Sequence, residues 1–315
     1  KLKAAVLPAA EALTAKGQAS ASFLAYVKDR VAFPNTMIDK ITPHPAKEVA
    51  DMLRGLGFED ADIVRTEKGT VTAAFVNAEE SEYLVIEDDF PNGRPPLDRA
   101  GIVFTTRETV DKVEKMKVGT CLNPLHTALA VLGCLLGFTK IADEMRDADL
   151  RRFVEKLGYD ESLPVVEDPG VLSPKAFLDE VLTRRLPNPF LPDTPQRIAA
   201  DTSQKLPVRF GWTIRSTKDK SSLTCVPFVF AAWLRYLAGV DDEGNTFSPS
   251  PDPRLAEVRA RMAAGLTDEL LSDETLFGAD LVAAGLSARV RGYFSQMMEG
   301  RGAVRRALSA VVSEK

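Results

Sequence analysis

The stretch of sequence that decides the fold is residues 117–127, which read KVGTCLNPLHT and lead into the most apolar part of the chain, residues 127–138. Asparagine followed by proline is typical of a helix start, with Asn123 as the N-cap and Pro124 in the first turn. His126 then lies in that turn, where the positive end of the helix dipole disfavours a charged imidazole. The pattern predicts a buried helix that opens with a neutral histidine whose imidazole is available to exchange hydrogen bonds. The alternative is an ordinary core helix whose histidine is already satisfied by hydrogen bonds within the protein.

Outward from this helix, the pattern is helical almost everywhere after residue 107, and clusters of proline interrupt it. The first third of the chain mixes helical spacing with short β-branched and aromatic runs. We therefore predict an α+β protein that is mostly helical. The predicted helices of the first third cover residues 2–14, 22–29 and 45–56, and the predicted strands cover residues 62–66, 70–75, 82–87 and 102–105.

The best candidate for a linker is residues 90–96, which read FPNGRPP. Three prolines and an Asn-Gly pair exclude a continuous helix or a central strand there. We expect the domain boundary between this linker and Arg107. The chain is thus predicted to consist of a mixed part, residues 1–106, and a helical part, residues 107–315.

Composition excludes several classes of protein. The 315 residues include 45 acidic and 40 basic side chains, so no basic field exists to coat a nucleic acid. No run of 18 or more apolar residues occurs, which argues against a membrane span. Three scattered cysteines are too few for a disulfide framework or a four-thiolate zinc site. We expect a protein of the reducing cytoplasm.

A second candidate segment is residues 193–209, DTPQRIAADTSQKLPVR. Arg197, Asp201 and Lys205 recur every four residues, so they would share one face if the segment is a single helix that ends at Pro207. A solvated ladder of charges is the usual meaning of such spacing. Recognition of a phosphate or of hydroxyl groups by the two cations is the alternative.

A third segment is residues 33–43, FPNTMIDKITP, a strand-to-loop passage that carries the carboxylate of Asp39. His44 follows it between two prolines, and we expect an exposed loop histidine there. Alone, this segment indicates little about function.

Together the three segments resemble the long-chain polyol and uronate dehydrogenases, the family of mannitol 2-dehydrogenase, fructuronate reductase (D-mannonate oxidoreductase) and tagaturonate reductase. The Phe-Pro-Asn to Asp run, the Lys then Asn-x-x-His run, and the Arg followed eight residues later by Lys before Leu-Pro occur in the family order. Asp252-Pro253 and the preceding Gly244 also fit. The resemblance spans nearly all of the chain.

The resemblance implies an NAD(P)-dependent hydride transfer at C2 of an acyclic polyol or sugar acid, without a metal. It implies Lys117 as general base and Asn123 as hydrogen-bond donor to the developing alkoxide. His126 joins this catalytic group and, with Arg197 and Lys205, holds the substrate hydroxyls. Asn35 and Asp39 line the cofactor side. A carboxylate of the substrate needs a cation, for which Arg197, Lys205 and Arg209 are the candidates.

Two features depart from the family pattern. The first is the spacing, because five residues separate Lys117 from Asn123 where the family usually has four. Glu114 agrees with the family, which often has a glutamate there, and it favours Lys117 over Lys115 as the base. The second departure is an absence. No Gly-x-Gly-x-x-Gly turn occurs. We therefore expect a chain that begins inside a helix and lacks the N-terminal Rossmann domain.

In that interpretation, residues 1–106 are the tail of a Rossmann-type cofactor domain, and residues 107–315 form an all-α substrate domain like the C-terminal domain of 6-phosphogluconate dehydrogenase. The main NAD or NADP site would be absent and the chain inactive alone, as a monomer or weak oligomer. One alternative is a catalytically inactive helical binding or interaction module derived from this family. Another is the helical substrate domain of a different dehydrogenase.

Overall fold

The computed structural model describes residues 2–40, 44–78, 83–191 and 193–314. Its strands are β1 (Thr36–Asp39), β2 (Val64–Arg65), β3 (Val71–Thr72), β4 (Tyr83–Glu87) and β5 (Val103–Thr105). Its helices are α1 (Leu2–Ala15), α2 (Ala21–Arg30), α3 (Lys47–Gly55), α4 (Arg107–Glu114), α5 (Asn123–Leu135), α6 (Ile141–Glu144), α7 (Ala148–Lys156), α8 (Pro174–Glu180), α9 (Pro195–Ile198), α10 (Thr202–Ser216), α11 (Cys225–Tyr236), α12 (Leu255–Met262), α13 (Asp268–Leu271), α14 (Glu274–Phe277), α15 (Ser287–Met297) and α16 (Ala303–Ser313). Turns of π-helix follow α4, α7 and α8 at Lys115–Cys121, Leu157–Ser162 and Val181–Arg185.

The predicted helices of the first third are confirmed as α1, α2 and α3. Pro8 lies inside α1 and does not break it. Residues 41–43 of the third segment and Glu82 of a predicted strand lie outside the described residues.

The described residues fall into two compact units, Lys1–Asp39 with Glu82–Val113, and Lys40–Ser81 with Glu114–Lys315. The first unit contains a sheet in the order β1-β4-β5. β1 runs antiparallel to β4, with Thr36 opposite Ile86, and β4 runs parallel to β5. One edge of the sheet therefore contains the carboxyl ends of β4 and β5 and the beginning of β1.

The second unit is held together by apolar helices. Every residue of α11 is buried, and α5 is buried along nearly its whole length, as expected of helices that are hydrophobic on all sides. Aromatic rings from α11 interlock with those of neighbouring helices. The contacts are Phe228 with Phe153 and Tyr293, and Phe230 with Phe210 and Phe277.

One helical stretch, Arg107–Leu135, is long and apolar enough to cross a membrane by length and composition. The sequence prediction found no membrane span because it required an uninterrupted run of apolar residues. A mean hydropathy over a window can be high even when the window contains small polar side chains. Within its most apolar window, 83% is buried inside the protein. The core helix of a globular protein passes the same test, and the stretch serves here as core.

Candidate active site

The segment that carries Lys117 is a turn of π-helix between α4 and α5. A π-helix closes i to i+5 hydrogen bonds, and Leu122 N donates to Lys117 O at 3.3 Å. The Thr120 hydroxyl donates to Met116 O at 2.7 Å. The wider turn accommodates one more residue than an α-helical turn does. The residues between Lys117 and Asn123 lie in this turn and directly after it.

Asn123 is not the N-cap of α5, so that prediction is wrong. The cap position is Leu122, whose side chain makes no capping bond, and Asn123 is the first helical residue. The helical chain enters α5 from the π-helical turn without an extended residue, so no side-chain cap is needed. His126 N still donates to Leu122 O at 3.0 Å, which puts His126 in the first turn as predicted.

Lys115 and Lys117 differ in their surroundings. The Lys115 ammonium lies 4.2 Å from the ring centre of Trp212 and 3.4 Å from the Glu167 carboxylate. Trp212 is itself fixed by the bond from its indole N–H to Val165 O at 3.1 Å. Lys115 is thereby engaged in a cation–π contact and an ion pair. The half-buried Lys117 lies two residues further along the same turn.

Arg197, Asp201 and Lys205 do not share the face of one helix, so the ladder prediction is wrong. Arg197 lies in α9, and Asp201 adopts a left-handed conformation with φ of 53° that separates α9 from α10. Lys205 lies in the first turns of α10. Pro207 lies inside α10 and does not end the segment.

A distant carboxylate caps α10. The N-cap residue Asp201 makes no side-chain capping bond, and its N–H donates to Pro251 O at 2.8 Å. Asp252 accepts from Ser203 N at 2.7 Å and from the Ser203 hydroxyl at 2.5 Å. It also accepts from Arg254 N at 2.9 Å. These bonds fix the start of the helix that carries Lys205 and Arg209.

His126 lies against an acid and a group of cations. Its Nε2 is 3.8 Å from Asp193 Oδ2, and the two side chains are only 12% and 13% exposed. Arg197 forms an ion pair with the same carboxylate. Burial lowers the pKa of His126 to about 4; Asp193 opposes this, and the positive charges of Arg185, Arg209 and Arg197 reinforce it. The imidazole is therefore neutral near pH 7.

Arg209 brings a further cation to the start of α5, and Lys205 lies one turn before it in α10. The Lys205 ammonium donates to Ile198 O at 2.9 Å and also to Ala200 O. Arg209 donates to the Thr127 hydroxyl at 2.5 Å and to Asn123 O at 3.4 Å. Burial, followed by the charge of Arg209, lowers the pKa of Lys205, and burial lowers the pKa of Arg209 to about 10. Both cations are partly desolvated, which strengthens their interaction with an anion.

Sequence reasoning missed Arg185. It lies at the end of the π-helical turn Val181–Arg185, is 5% exposed, and lines a cavity of about 10 Å³ with His126, Asn188 and Asp193. A cavity of this size holds about one water molecule. The available signal in the sequence was the pair Arg184-Arg185 before a cluster of prolines. Such a pair resembles exposed surface residues, and Arg184 is exposed, so the sequence does not indicate that Arg185 is buried.

The two residues predicted on the cofactor side lie in the first compact unit. Asn35 precedes β1, and Asp39 is the last residue of β1 and is buried. His44 is exposed, as predicted. Among the ranges that the structure describes, no cluster of three or more His, Cys, Asp or Glu side chains is arranged to hold a metal.

Two family models match the chain. The mannitol dehydrogenase Rossmann domain matches residues 2–99, and the mannitol dehydrogenase C-terminal domain matches residues 109–298. The second match alone covers more than half of the chain. The chain therefore belongs to the mannitol dehydrogenase family, an oxidoreductase family with a Rossmann domain and a helical C-terminal domain.

Similar proteins support this assignment. The chain is 47% identical to D-mannonate oxidoreductase of Thermotoga maritima, over 100% of the chain and 61% of that protein. It is 36% identical to mannitol 2-dehydrogenase of Aspergillus niger, over 81% of the chain and 50% of that protein. The chain thus spans between half and about three fifths of the length of these curated relatives.

A solved structure shows the same fold. The Pseudomonas fluorescens mannitol 2-dehydrogenase, in a ternary complex with NAD and D-mannitol, superimposes with a TM-score of 0.73 at 24% identity. The match covers 95% of this chain and 58% of that one.

The prediction that the chain lacks the Rossmann domain is wrong, because the model of that domain matches residues 2–99. The prediction rested on the missing Gly-x-Gly-x-x-Gly turn. Such a turn is one local part of the domain, and the remaining helices and strands are recognisable without it. The expectations that the cofactor domain is absent and that the chain is inactive alone therefore have no support.

Proposed function

We propose that this protein transfers a hydride between NAD or NADP and C2 of an acyclic polyol or sugar acid, without a metal. The observation that carries the proposal is the meeting of the segments that bear Lys117, Asn123, His126 and Lys205. Arg209 of α10 bonds to Asn123 O and to Thr127 on α5, and the π-helical turn with Lys117 packs on α10 through Gly119 and Trp212.

Each side chain has a chemical role in this proposal. Lys117 removes the proton of the C2 hydroxyl. Its neighbour Lys115 contacts the Trp212 ring and the Glu167 carboxylate. Asn123 donates a hydrogen bond to the oxygen on which charge develops. Neutral His126 exchanges hydrogen bonds with a substrate hydroxyl, and the Asp193 carboxylate lies 3.8 Å from its Nε2. Arg197 and Lys205 hold further hydroxyls.

The cofactor supplies the hydride acceptor. Asn35 lies at the carboxyl edge of the parallel strands β4 and β5, and ligands of open α/β sheets bind at that edge. Its amide can both donate and accept hydrogen bonds, which suits the ribose and carboxamide groups of a dinucleotide. Asn35 is therefore our proposed cofactor-binding residue. Asp39 pairs with Tyr83 at the other end of β4, so its proposed place on the cofactor side rests on the family resemblance alone.

We favour a sugar acid over a neutral polyol as the substrate. Arg185, Arg197 and Arg209 all act on His126 through their positive charge, and Asp193 is the acid that opposes them. A partly desolvated group of cations favours an anion. Arg197, Lys205 and Arg209 are the candidates for the carboxylate.

Reduction assays with NADH and NADPH test the proposal. The protein is offered fructuronate, tagaturonate and fructose in parallel, and we expect turnover with at least one ketouronate exceeding that with fructose. Arg197→Ala should mainly raise the Michaelis constant, because it removes binding that is common to ground state and transition state. The exposed Arg146→Ala is the control. Preference for fructose would refute the sugar-acid assignment.

The second candidate is a helical binding module without catalysis. The extra residue of the π-helical turn favours it, because the turn sets the separation of Lys117 from Asn123. Binding of a sugar acid without any turnover would establish this alternative.

We also propose a cytoplasmic monomer or weak oligomer with a helical substrate domain over residues 107–315.

A further inference from the structure

A cluster of Asn35, Glu87 and Arg107 lies at the edge of the sheet in the first compact unit. Because Thr36 pairs with Ile86, Asn35 lies opposite Glu87, the last residue of β4. Glu87 N donates to Asn35 O at 2.8 Å, and Asn35 N donates to the Glu87 carboxylate at 2.9 Å. The backbone of Asn35 is thus fixed in two directions.

Arg107 fixes the side chain of the same asparagine. It is the first residue of α4, two residues after the end of β5. The amide of Asn35 is assigned with its oxygen toward this guanidinium, because the opposite orientation would set its NH₂ group against N–H donors; in that orientation Nε and Nη2 donate to the oxygen at 3.0 and 2.9 Å. Asp111, one turn further along α4, shares the single Nε–H with Asn35, with Nε to Oδ1 at 2.9 Å, and Nη1 lies 3.8 Å from Glu87 Oε2.

This arrangement determines which group Asn35 can offer to a ligand. The oxygen and nitrogen of an amide diverge from one carbon, so the NH₂ group faces away from the guanidinium that holds the oxygen. Asn35 is therefore a donor of fixed orientation at the carboxyl edge of β4 and β5. A side chain that is already ordered loses less conformational entropy when it binds a ligand.

We propose that Arg107 is a positioning residue for the cofactor. It orients the Asn35 amide so that the NH₂ group donates to an oxygen of the nicotinamide dinucleotide, and Glu87 and Asp111 hold Arg107 in place. Arg107 acts through Asn35 and not by contact with the cofactor. The proposal rests on the proposed function, since it takes the dinucleotide as the ligand.

A double-mutant cycle tests the proposal. The affinity of each variant for NADH and NADPH is measured by fluorescence titration. Loss of one hydrogen bond changes affinity by roughly threefold to tenfold. We expect Asn35→Ala and Arg107→Ala each to weaken binding by about that factor. The double variant should bind no more weakly than Asn35→Ala alone, because Arg107 has nothing left to orient. A merely structural arginine would not give this non-additivity.

Three further proteins complete the experiment. Arg107→Met keeps most of the side-chain stem, and its melting temperature shows whether the fold survives the loss of the guanidinium. Arg107→Lys keeps the charge but cannot form the fork, so we expect it to bind as weakly as Arg107→Ala. Arg99→Ala removes an exposed arginine of the same unit and should bind as the unchanged protein does.

The outcomes separate this proposal from the proposed function. Full affinity in Arg107→Ala or Arg107→Lys, or effects that multiply in the double variant, would overturn the positioning role while leaving the dehydrogenase intact. Failure of the unchanged protein to bind either dinucleotide would refute both.

Discussion

The cap of α10 by Asp252 gives a prediction that links stability to substrate binding. Asp252→Ala removes three acceptor bonds, to Ser203 N, to the Ser203 hydroxyl and to Arg254 N. Loss of a helix cap costs about 1–2 kcal/mol, and each of the other two bonds contributes about 0.5–1.5 kcal/mol. The free energy of unfolding should therefore fall by about 2–5 kcal/mol.

The same change should affect the site, because Lys205 lies in the first turns of α10 and depends on the conformation of residues 198–200 through its bonds to their carbonyl groups. We expect a Michaelis constant for the sugar acid that is about tenfold higher, with a smaller change in kcat.

Urea unfolding and steady-state kinetics measure the two effects. The control is Asp219→Ala, an aspartate that accepts two bonds from Ser221 in an exposed turn just beyond the other end of α10. It should cost less than about 1 kcal/mol and leave the Michaelis constant unchanged. Equal effects of the two substitutions would refute the capping argument. A stability loss in Asp252→Ala without any kinetic effect would remove its connection with Lys205.

Three further predictions concern His126, Gly133 and the charge of the site. The folded-state pKa of His126 is lowered from 6.5 to about 4, so the unfolded chain binds more protons between these values and stability falls as the pH falls. Between pH 7.5 and pH 5, the unchanged protein should lose about 2 kcal/mol more than His126→Asn in urea unfolding, and equal losses would contradict the burial argument. Gly133→Ala would put a methyl group 2.5 Å from Cδ of the buried Glu144 and should destabilise the protein by about 2–3 kcal/mol. Glu144→Ala should relieve that cost in the double variant, while Gly292→Ala, which has open space, should cost nothing. Raising the salt concentration should weaken the binding of a ketouronate more than that of fructose, and a salt-independent Michaelis constant for the acid would contradict an electrostatic site.

The sequence predicted those features that depend on local patterns. The apolar run after His126 is buried as α5, and the short β-branched runs become β2, β3, β4 and β5. The order of three motifs was enough to indicate the family, which the matches to its two domain models confirm.

Features that depend on tertiary contacts could not be predicted. Spacing of four residues suggests one helix face for Arg197, Asp201 and Lys205, but the bond from Asp201 N to Pro251 O holds a break between two helices. Asn123-Pro124 looks like a cap and first turn because the sequence does not reveal the π-helical turn before it. Arg185 becomes a site residue only through burial beside His126.

The absence of a motif was the weakest kind of evidence. A missing glycine-rich turn suggested that the Rossmann domain is absent, whereas helices and strands over residues 2–99 identify it.

We propose that Lys117 is the base of a sugar-acid dehydrogenase. Its most direct test is the rate of ketouronate reduction by the unchanged protein and by Lys117→Ala, with Lys115→Ala as the matched control from the same turn. We predict a fall in kcat of roughly a hundredfold or more for Lys117→Ala, in line with general acid–base catalysis, and a much smaller effect for Lys115→Ala. Near-normal turnover of Lys117→Ala, or a larger loss in Lys115→Ala, would contradict the account.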